Sequence, residues 1–471
     1  MESNSKHLFF YHMKITKTLC FFVAWSLSFS FLAQAIPGTL NWYNGIGTGM
    51  YTDVAYKKIL NKKKATPVIV AVIDSGVDLE HEDLKGKIWT NTKEIPNNKK
   101  DDDGNGYVDD VHGWNFLGNA KGENQEKARL EKARIVKKYR DKFEGIDPQS
   151  LAYDPIQDMF QNAKNSLDED VAQYEAYRDM IGKGKLDKET EEYLKDQLFY
   201  NLNPDYDDRS LIGDNPDDFS NKNYGNGDAE GPEALHGTHV AGIIAALRGN
   251  DKGGDGVADA VLIMSVRTVP NGDENDKDVA LAIRYAVDNG AKVINMSFGK
   301  SFSPYHDKVQ EAIAYAASKD VLMIHAAGND AEDIDYTENF PKKPAFDYQD
   351  STLRKMFLNI GASTRNPGDK LVASFSNFGV SEVDVFAPGL EIYNSVPQSD
   401  YKNLQGTSMA SPMVAGVAAL LKSRFPQASM LEISDAITRT TQKYDELSDK
   451  CIKGGVVNVL NAATYLNNLY K

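Results

Sequence analysis

Continuous runs of apolar residues recur along the chain, and many of them are rich in β-branched side chains. A run without polar alternation is typical of a strand that is buried on both faces, as in a parallel sheet. The runs lie at Val68–Ile73, Val261–Val269, Val293–Met296, Val321–Ile324, Phe357–Ile360 and Val383–Phe386.

Segments with helical spacing lie between several of these runs, at His239–Leu247, Val279–Val287 and Lys308–Ser318. Strands that alternate with helices predict an α/β fold: a doubly wound, mostly parallel sheet with helices on both faces. In such sheets, functional sites form beyond the carboxyl ends of the strands.

Residues from about 120 to 230 interrupt this alternation. Leu130, Ala133, Val136, Tyr139 and Phe143 recur at helical spacing and predict a first helix. The sequence Ser166–Glu169 fits a capping box before a second helix, and 187–201 fits a third. We interpret this block as a helical insertion. It is either a decoration on the outside of the domain or a lid or rim that limits access to a cleft.

The first 35 residues have the order of a secretory signal peptide, with Lys14 and Lys17, an apolar run from Leu19 to Leu32, and then 33–35 (Ala-Gln-Ala). The alternative is an N-terminal membrane anchor, although the run is short for a span. We therefore expect a secreted or periplasmic protein without stable membrane insertion. The predicted divisions are a signal peptide (1–35), an N-terminal arm (36–66), a main domain (67–462) and a tail (463–471).

Composition narrows the class of protein further. The chain has 471 residues, of which 41% are hydrophobic, so it can bury a substantial core. Its net charge of -15 argues against a nucleic-acid partner, which normally meets a basic face. There are two cysteines, and Cys20 would leave with the signal peptide, so Cys451 is predicted to have no disulfide partner.

Four polar residues lie at positions that an α/β sheet would bring close together at one edge. Asp74 and Asn329 end buried strands, and His236 and Ser408 open helices. Taken singly, each fits an ordinary role as a turn residue or helix cap. Together they would converge on one edge of the sheet.

These residue types suit nucleophilic catalysis. A serine hydroxyl needs a base to remove its proton, and histidine can do this near neutral pH when a carboxylate orients its ring. The Asn329 amide and the Ser408 backbone N–H are candidate donors to the oxyanion that would form. Small residues around Ser408 allow close approach of a carbonyl, and Pro412 is expected in the first helical turn, where its missing N–H costs nothing.

The motifs D-S-G, H-G-T-H-V-A-G, A-A-G-N and G-T-S-M-A-S-P-M-V-A-G, in this order, resemble those of the subtilisin-like serine proteases (subtilases). The resemblance implies that Asp74 orients, His236 is general base and then acid, Ser408 attacks and Asn329 stabilises the oxyanion. It also implies that Ser297, Phe298 and Gly299, with Ala327 and Gly328, bind the substrate backbone. We expect an extended polypeptide substrate, no cofactor for catalysis, and a monomer. His239, one turn after His236, is expected to be structural.

A secreted endopeptidase is the function that this resemblance favours. A peptide ligase or cyclase would share the acyl-enzyme but pass it to an amine. A catalytically silent binding protein is a further alternative, although such proteins usually lose a triad residue. An α/β-hydrolase lipase is disfavoured, because its serine would come first in chain order.

An acidic loop follows the first strand at some distance. Asp101, Asp103 and Asn105 alternate, Gly106 is sixth, and Tyr107 and Asp109 can offer further oxygens. This spacing matches the start of an EF-hand-like calcium loop, although position twelve is His112 rather than glutamate. We expect a structural calcium ion here; a solvated acidic turn is the alternative.

Overall fold

A nine-stranded sheet forms the centre of the protein, in a computed structural model that describes residues 40–146, 154–345 and 351–471. The strands of the described residues are β1 Val68–Asp74, β2 Gly113–Asn115, β3 Val261–Arg267, β4 Val293–Met296, β5 Leu322–Ala326, β6 Phe357–Ser363, β7 Val385–Pro388, β8 Ile392–Val396, β9 Asp400–Leu404, β10 Gln442–Lys443 and β11 Gly455–Val456. The sheet has the order β10-β11-β7-β6-β5-β4-β1-β3-β2, and β8 and β9 form a separate hairpin.

All neighbouring strands of the large sheet are parallel except β10 and β11 at its edge. The α-helices of the described residues are α1 Thr52–Lys58, α2 Glu131–Phe143, α3 Pro155–Arg178, α4 Lys188–Asp196, α5 Leu235–Ala245, α6 Asp276–Asp288, α7 His306–Ser318, α8 Ser351–Lys355, α9 Thr407–Arg424, α10 Met430–Arg439 and α11 Val459–Leu469.

Strand β1 shows why the sheet needs helices on both faces. Val70 and Val72 join one hydrophobic cluster, which contains apolar residues of α5 and α9. Ala71 and Ile73 point to the opposite face and join a second cluster with residues of α6 and α7. Because both faces are buried, apolar residues occupy every position from 68 to 73. The predicted α/β fold with a doubly wound sheet is confirmed.

The predicted strands and helices agree with the structure apart from their ends. The run Val293–Met296 is β4 without change, whereas β3 ends two residues before the predicted Val269. Helix α5 begins at Leu235, four residues before the predicted His239. The early start includes His236 and Gly237, which apolar periodicity alone does not detect.

The insertion contains the helices α2, α3 and α4, and the start of α3 differs from the prediction. A helix start at the capping box Ser166–Glu169 is wrong, because α3 runs unbroken from Pro155. Asp154 is the cap, and its carboxylate accepts from the backbone N–H of Ile156 at 2.9 Å. The Ser166 hydroxyl instead lies 3.1 Å from the Lys132 ammonium, so this serine links two helices of the insertion.

The insertion has its own hydrophobic cluster, to which Ile135, Phe143, Phe160 and Leu167 belong. It is also joined to the main sheet layer by buried charges. The Lys277 ammonium of α6 donates to Asp214 Oδ1 at 2.6 Å, and both side chains are fully buried. The insertion is therefore packed against the domain and is continuous with its interior.

Residues 40–66 pack on the main domain. The Tyr43 hydroxyl donates to the Asp255 carbonyl at 3.0 Å, and the Met50 carbonyl accepts from Val459 N–H at 2.8 Å. The predicted signal peptide and Cys20 lie outside the described residues. The predicted boundary at Ala462 falls inside α11, whose apolar stripe continues to Leu466.

Cys451 is buried and forms no disulfide within the described residues. Among the helices of those residues, none combines the length and apolar character that crossing a bilayer requires.

Candidate active site

The four candidate residues meet at the carboxyl edge of adjacent strands. Strands β1, β4 and β5 are neighbours, and Ile73 pairs with Met296, which pairs with His325. This register places Asp74 beside Ser297, and Asn329 follows β5 on the same edge. Helices α5 and α9, which carry His236 and Ser408, cover one face of the sheet there.

Asp74 and His236 form a close pair. The His236 Nδ1 lies 2.7 Å from Asp74 Oδ1, and the Asp74 side chain is only 1% exposed. The backbone N–H of Ser75 donates to the same Asp74 oxygen at 2.8 Å. Because a carboxylate only accepts, Nδ1 carries the proton and the Nε2 of a neutral His236 is left as a base. A Cβ at Gly237 would lie 2.1 Å from the Gly76 carbonyl oxygen, so glycine is needed for this approach.

The negative charge of Asp74 determines the direction in which the pKa of His236 is shifted. Burial acts to lower the pKa of His236, but the Asp74 carboxylate and its hydrogen bond outweigh that effect, and the pKa lies above its ordinary value. His239 behaves differently. It is fully buried, its Nε2 lies 3.0 Å from the Ile392 carbonyl, and burial lowers its pKa to about 3. Its place under the β8–β9 hairpin agrees with the expected structural role.

The Ser408 hydroxyl is held by the strand edge in this structure. Its Oγ donates to the Ser297 carbonyl at 3.2 Å, and it makes no hydrogen bond to His236. In return, the Ser297 hydroxyl donates to the Ser408 carbonyl at 2.9 Å. The two serines therefore fix the start of α9 against the end of β4.

Pro412 explains why the Ser408 carbonyl is available. The predicted place of Pro412 in the first helical turn is wrong, because α9 begins at Thr407 and contains Pro412 in its interior. A residue at this position would normally donate its N–H to the Ser408 carbonyl. Proline has no N–H, and the Ser297 hydroxyl takes its place.

The amide of Asn329 has a fixed orientation. Its Oδ1 accepts from the Thr407 backbone N–H at 2.8 Å and from the Thr407 hydroxyl at 3.0 Å. Because a backbone N–H can only donate, the acceptor is the oxygen, and the Asn329 NH2 group is left to face outward. The Ser408 N–H is second in α9, where a helix supplies no internal acceptor.

Gly406 leaves a space between these two donors. A Cβ built at Gly406 would lie 3.5 Å from both Asn329 Nδ2 and the Ser408 nitrogen. Its φ of 145° also lies in the region that side-chain-bearing residues rarely adopt. The arrangement can stabilise negative charge on an oxygen that enters this space.

The predicted substrate-binding segment lies beside this site. The Phe298 carbonyl accepts from His325 Nε2 at 2.8 Å, so it points toward the interior. Successive carbonyls in an extended segment point in opposite directions, which leaves those of Ser297 and Gly299 facing the other way. Of the other two predicted residues, the Gly328 N–H donates to the Thr407 hydroxyl at 3.1 Å. Ala327 is fully buried, and its carbonyl accepts from the side-chain amides of Asn339 and Asn377 at 2.9 and 3.0 Å.

His325 is a residue that the sequence reasoning did not find. It is fully buried, with Nδ1 2.8 Å from Asn359 Oδ1 and Nε2 at the Phe298 carbonyl. Burial lowers its pKa to about 4. In the sequence, His325 looks like part of an apolar strand. Its position directly before the A-A-G-N motif is the feature from which a place near the site could have been predicted.

The acidic loop brings together a different set of residues from the one proposed. Carboxylate oxygens of Glu94, Asp101 and Asp103 lie within 4.8 Å of one another. The Asp109 carboxylate turns away and accepts from the Asn98 and Lys99 N–H groups at 3.1 and 2.8 Å. Asn105 Oδ1 accepts from the Tyr107 N–H at 2.8 Å. Glu94 was missed because it lies seven residues before the loop.

Comparison with known proteins agrees with the geometry. The sequence model of the subtilase family matches residues 65–455. The chain belongs to this family. Within it, the subtilase is 38% identical to thermitase of Thermoactinomyces vulgaris over 231 residues, which are 49% of this chain and 75% of that protein. It is 39% identical to a thermophilic serine proteinase of Bacillus sp. strain AK1 over 231 residues, 52% of that protein.

Solved structures show the same fold. This subtilase matches a protease from Pseudoalteromonas arctica PAMC 21717 with a TM-score of 0.51 and 22% identity, over 88% of this chain and 94% of the other. It matches a structure of the subtilase cytotoxin SubAB with a TM-score of 0.52 and 20% identity, over 91% and 97%. The predicted resemblance to subtilisin-like serine proteases is confirmed.

Proposed function

We propose that this subtilase is a secreted serine endopeptidase that hydrolyses polypeptides through an acyl-enzyme on Ser408. The observation that carries the proposal is the 2.7 Å contact of His236 Nδ1 with the buried Asp74, beside a serine and a fixed amide donor. Secretion is supported by the signal-peptide pattern of residues 1–35.

The first step follows from the donors and acceptors of the site. Ser408 Oγ attacks the carbonyl carbon of the scissile bond while its proton passes to His236 Nε2. The Asn329 NH2 group and the Ser408 N–H donate to the oxyanion in the space over Gly406. Asp74 stabilises the imidazolium without taking its proton.

The second half of the reaction restores the enzyme. His236 gives the proton to the leaving amine, and the peptide C–N bond breaks to leave an ester on Ser408. A water molecule then loses a proton to His236 and attacks the ester, and Ser408 is released with its proton regained.

Substrate binding would also prepare the nucleophile. An extended peptide that pairs with the 297–299 segment brings backbone N–H groups to this edge. One of them can replace the Ser408 hydroxyl at the Ser297 carbonyl, which frees Oγ to turn toward His236 Nε2. The hydrogen bond of Ser408 seen here is then the resting arrangement of the site.

A structural calcium ion at the acidic loop is a separate proposal. Glu94, Asp101 and Asp103 offer hard oxygen ligands close enough to share one cation, which fits calcium. Asp109 would need to turn from the 98–99 backbone to join them. The ion would neutralise mutual repulsion of these carboxylates and stiffen the loop.

Cleavage of an unstructured protein substrate tests the proposed activity. Mass spectrometry of the products is expected to show free carboxyl termini and new amines, with no joined peptides. Ser408→Ala should remove the activity while the thermal unfolding profile stays that of the original protein. Equal cleavage by the two proteins would overturn the proposal.

A further inference from the structure

A cavity of about 630 Å³ lies beside His236, between the 297–299 segment and the loop 270–274. Apart from Asp74, three carboxyl residues line it: Glu233, Asp273 and Glu274. No lysine or arginine is among the lining residues. We call Glu233, Asp273 and Glu274 the acidic pocket.

Glu274 is the unusual member of the acidic pocket. It is only 2% exposed, and its Oε1 is buried without a hydrogen-bond partner among the described residues. Burial raises the pKa of Glu274 to about 8. At neutral pH the free carboxyl group is therefore mostly protonated, and a cationic donor that entered the cavity would favour its ionised form and supply the missing partner to Oε1.

Lys300 lies close enough to favour the ionised form of Glu274, but it makes no hydrogen bond to this carboxyl group. The Lys300 ammonium bonds to Glu131 Oε2 at 2.9 Å and to Asp276 Oδ1 at 2.8 Å. It touches Glu274 only at the backbone carbonyl, at 2.8 Å. The three donors of Lys300 are therefore directed to acceptors other than the Glu274 carboxyl group.

Glu233 is also only loosely paired. Its carboxylate lies 3.7 Å from the Lys127 ammonium, which makes a closer pair with Asp196 at 2.9 Å. Glu233 retains 34% of its side-chain exposure, and it lies three residues before His236. The cavity therefore presents negative charge next to the catalytic histidine.

We propose that the acidic pocket receives a lysine or arginine side chain of the peptide substrate, with Glu274 as its main partner and Glu233 at the entrance. The proposal rests on the proposed endopeptidase activity. A peptide paired with the 297–299 segment would direct a side chain into this cavity. Because Glu274 lacks a donor, the cavity would discriminate more strongly for a cationic side chain than an exposed acidic surface would.

The insertion then has a role in substrate choice. The Glu131 N–H at the start of α2 donates to Asp273 Oδ2 at 2.7 Å, and Arg134 donates to the Glu274 carbonyl at 3.3 Å. These contacts hold the loop 270–274 in place. The insertion then acts as the outer support of one subsite.

Matched quenched peptides test the inference. The host peptide is uncharged and carries norleucine at the four positions before the scissile bond. In each test peptide, one of these norleucines is replaced by lysine. At one position, lysine is expected to raise kcat/KM about tenfold over norleucine. Glu274→Gln should reduce that ratio to within about twofold, and Glu233→Gln should reduce it less, because the partly exposed carboxylate is screened by water. The matched control Glu189→Gln, on the exposed surface of the insertion, should retain it.

The outcomes separate the two proposals. Cleavage of the hosts with no lysine preference at any position would overturn the acidic pocket and leave the endopeptidase intact. A lysine preference that Glu274→Gln and Glu233→Gln both retain would also overturn it. Failure of the full chain to cleave any host would contradict the proposed function itself.

Discussion

Ser297 and Ser408 hydrogen-bond to each other twice. The Ser408 hydroxyl donates to the Ser297 carbonyl at 3.2 Å, and the Ser297 hydroxyl donates to the Ser408 carbonyl at 2.9 Å. The second bond exists because Pro412 supplies no N–H to that carbonyl. A residue of the proposed substrate segment thus positions the proposed nucleophile, Ser408.

Ser297→Ala is expected to lower the free energy of unfolding by about 1–3 kcal/mol, because it leaves the Ser408 carbonyl without a donor. Ser297→Thr keeps the hydroxyl and should lose less. Combining Ser297→Ala with Pro412→Ala restores an N–H at the helical position and should recover part of the loss. Urea unfolding measures all of these, and a double variant no more stable than Ser297→Ala would contradict the explanation.

Asn329→Ala is expected to lower kcat on the order of 10²–10³-fold with little change in KM, a magnitude measured for such a donor in subtilisin itself. The reason is that the amide donates to charge that appears only in the transition state. Steady-state kinetics checks this, with Asn403→Ala on the exposed β9 as control. A rise in KM at constant kcat would show a binding role instead.

Activity should fall as the pH drops through the pKa of His236, since an imidazolium cannot accept the serine proton. The Asp74 carboxylate holds this pKa above its ordinary value, so the acid limb of kcat/KM should lie above about 6.5. Asp74→Asn should move the limb to lower pH and reduce kcat by about 10⁴-fold. An acid limb that Asp74→Asn leaves unmoved would contradict the assignment.

The Asp74–His236 pair should stabilise the folded protein most at low pH, where the activity is expected to be lowest. Because the pKa of His236 is raised on folding, its contribution to stability is fully present below the unfolded pKa and is lost as the pH rises through the folded value. The difference in unfolding free energy between the original protein and His236→Gln should therefore shrink from pH 5 to pH 8. A difference that grows over this range would be inconsistent with the pairing.

Removal of calcium should lower the melting temperature by a few degrees, because an ion that binds only the folded state stabilises it. Scanning calorimetry with and without a chelator measures this. Asp101→Asn combined with Asp103→Asn should remove the dependence on chelator, since both residues belong to the carboxylate group. No shift in the original protein would count against the ion.

Most strands of the sheet could be predicted from the sequence. Parallel strands such as Val293–Met296 are buried on both faces, and such strands form continuous apolar runs that are easy to recognise. Strand ends and helix starts in the sequence also predict where Asp74, His236, Asn329 and Ser408 lie, because the carboxyl ends of parallel strands share one edge of the sheet. The start of α3 was missed because Ser166–Glu169 satisfies a local pattern inside a longer helix. Local spacing cannot show whether a helix has already begun.

Contacts between distant segments were beyond sequence reasoning. The bond of His325 to the Phe298 carbonyl depends on the pairing of β5 with β4, and the place of Glu94 among the loop carboxylates depends on a fold-back of the chain. The role of Pro412 likewise became visible only with the true start of α9 and the contact from Ser297.

Labelling with a fluorophosphonate probe tests the central claim most directly. The probe reacts with a serine hydroxyl only where a base and an oxyanion site activate it. We predict one adduct per chain, located by tandem mass spectrometry on Ser408, and its loss in Ser408→Ala and strong slowing in His236→Ala. An unlabelled native protein, or an adduct on another serine, would contradict the account.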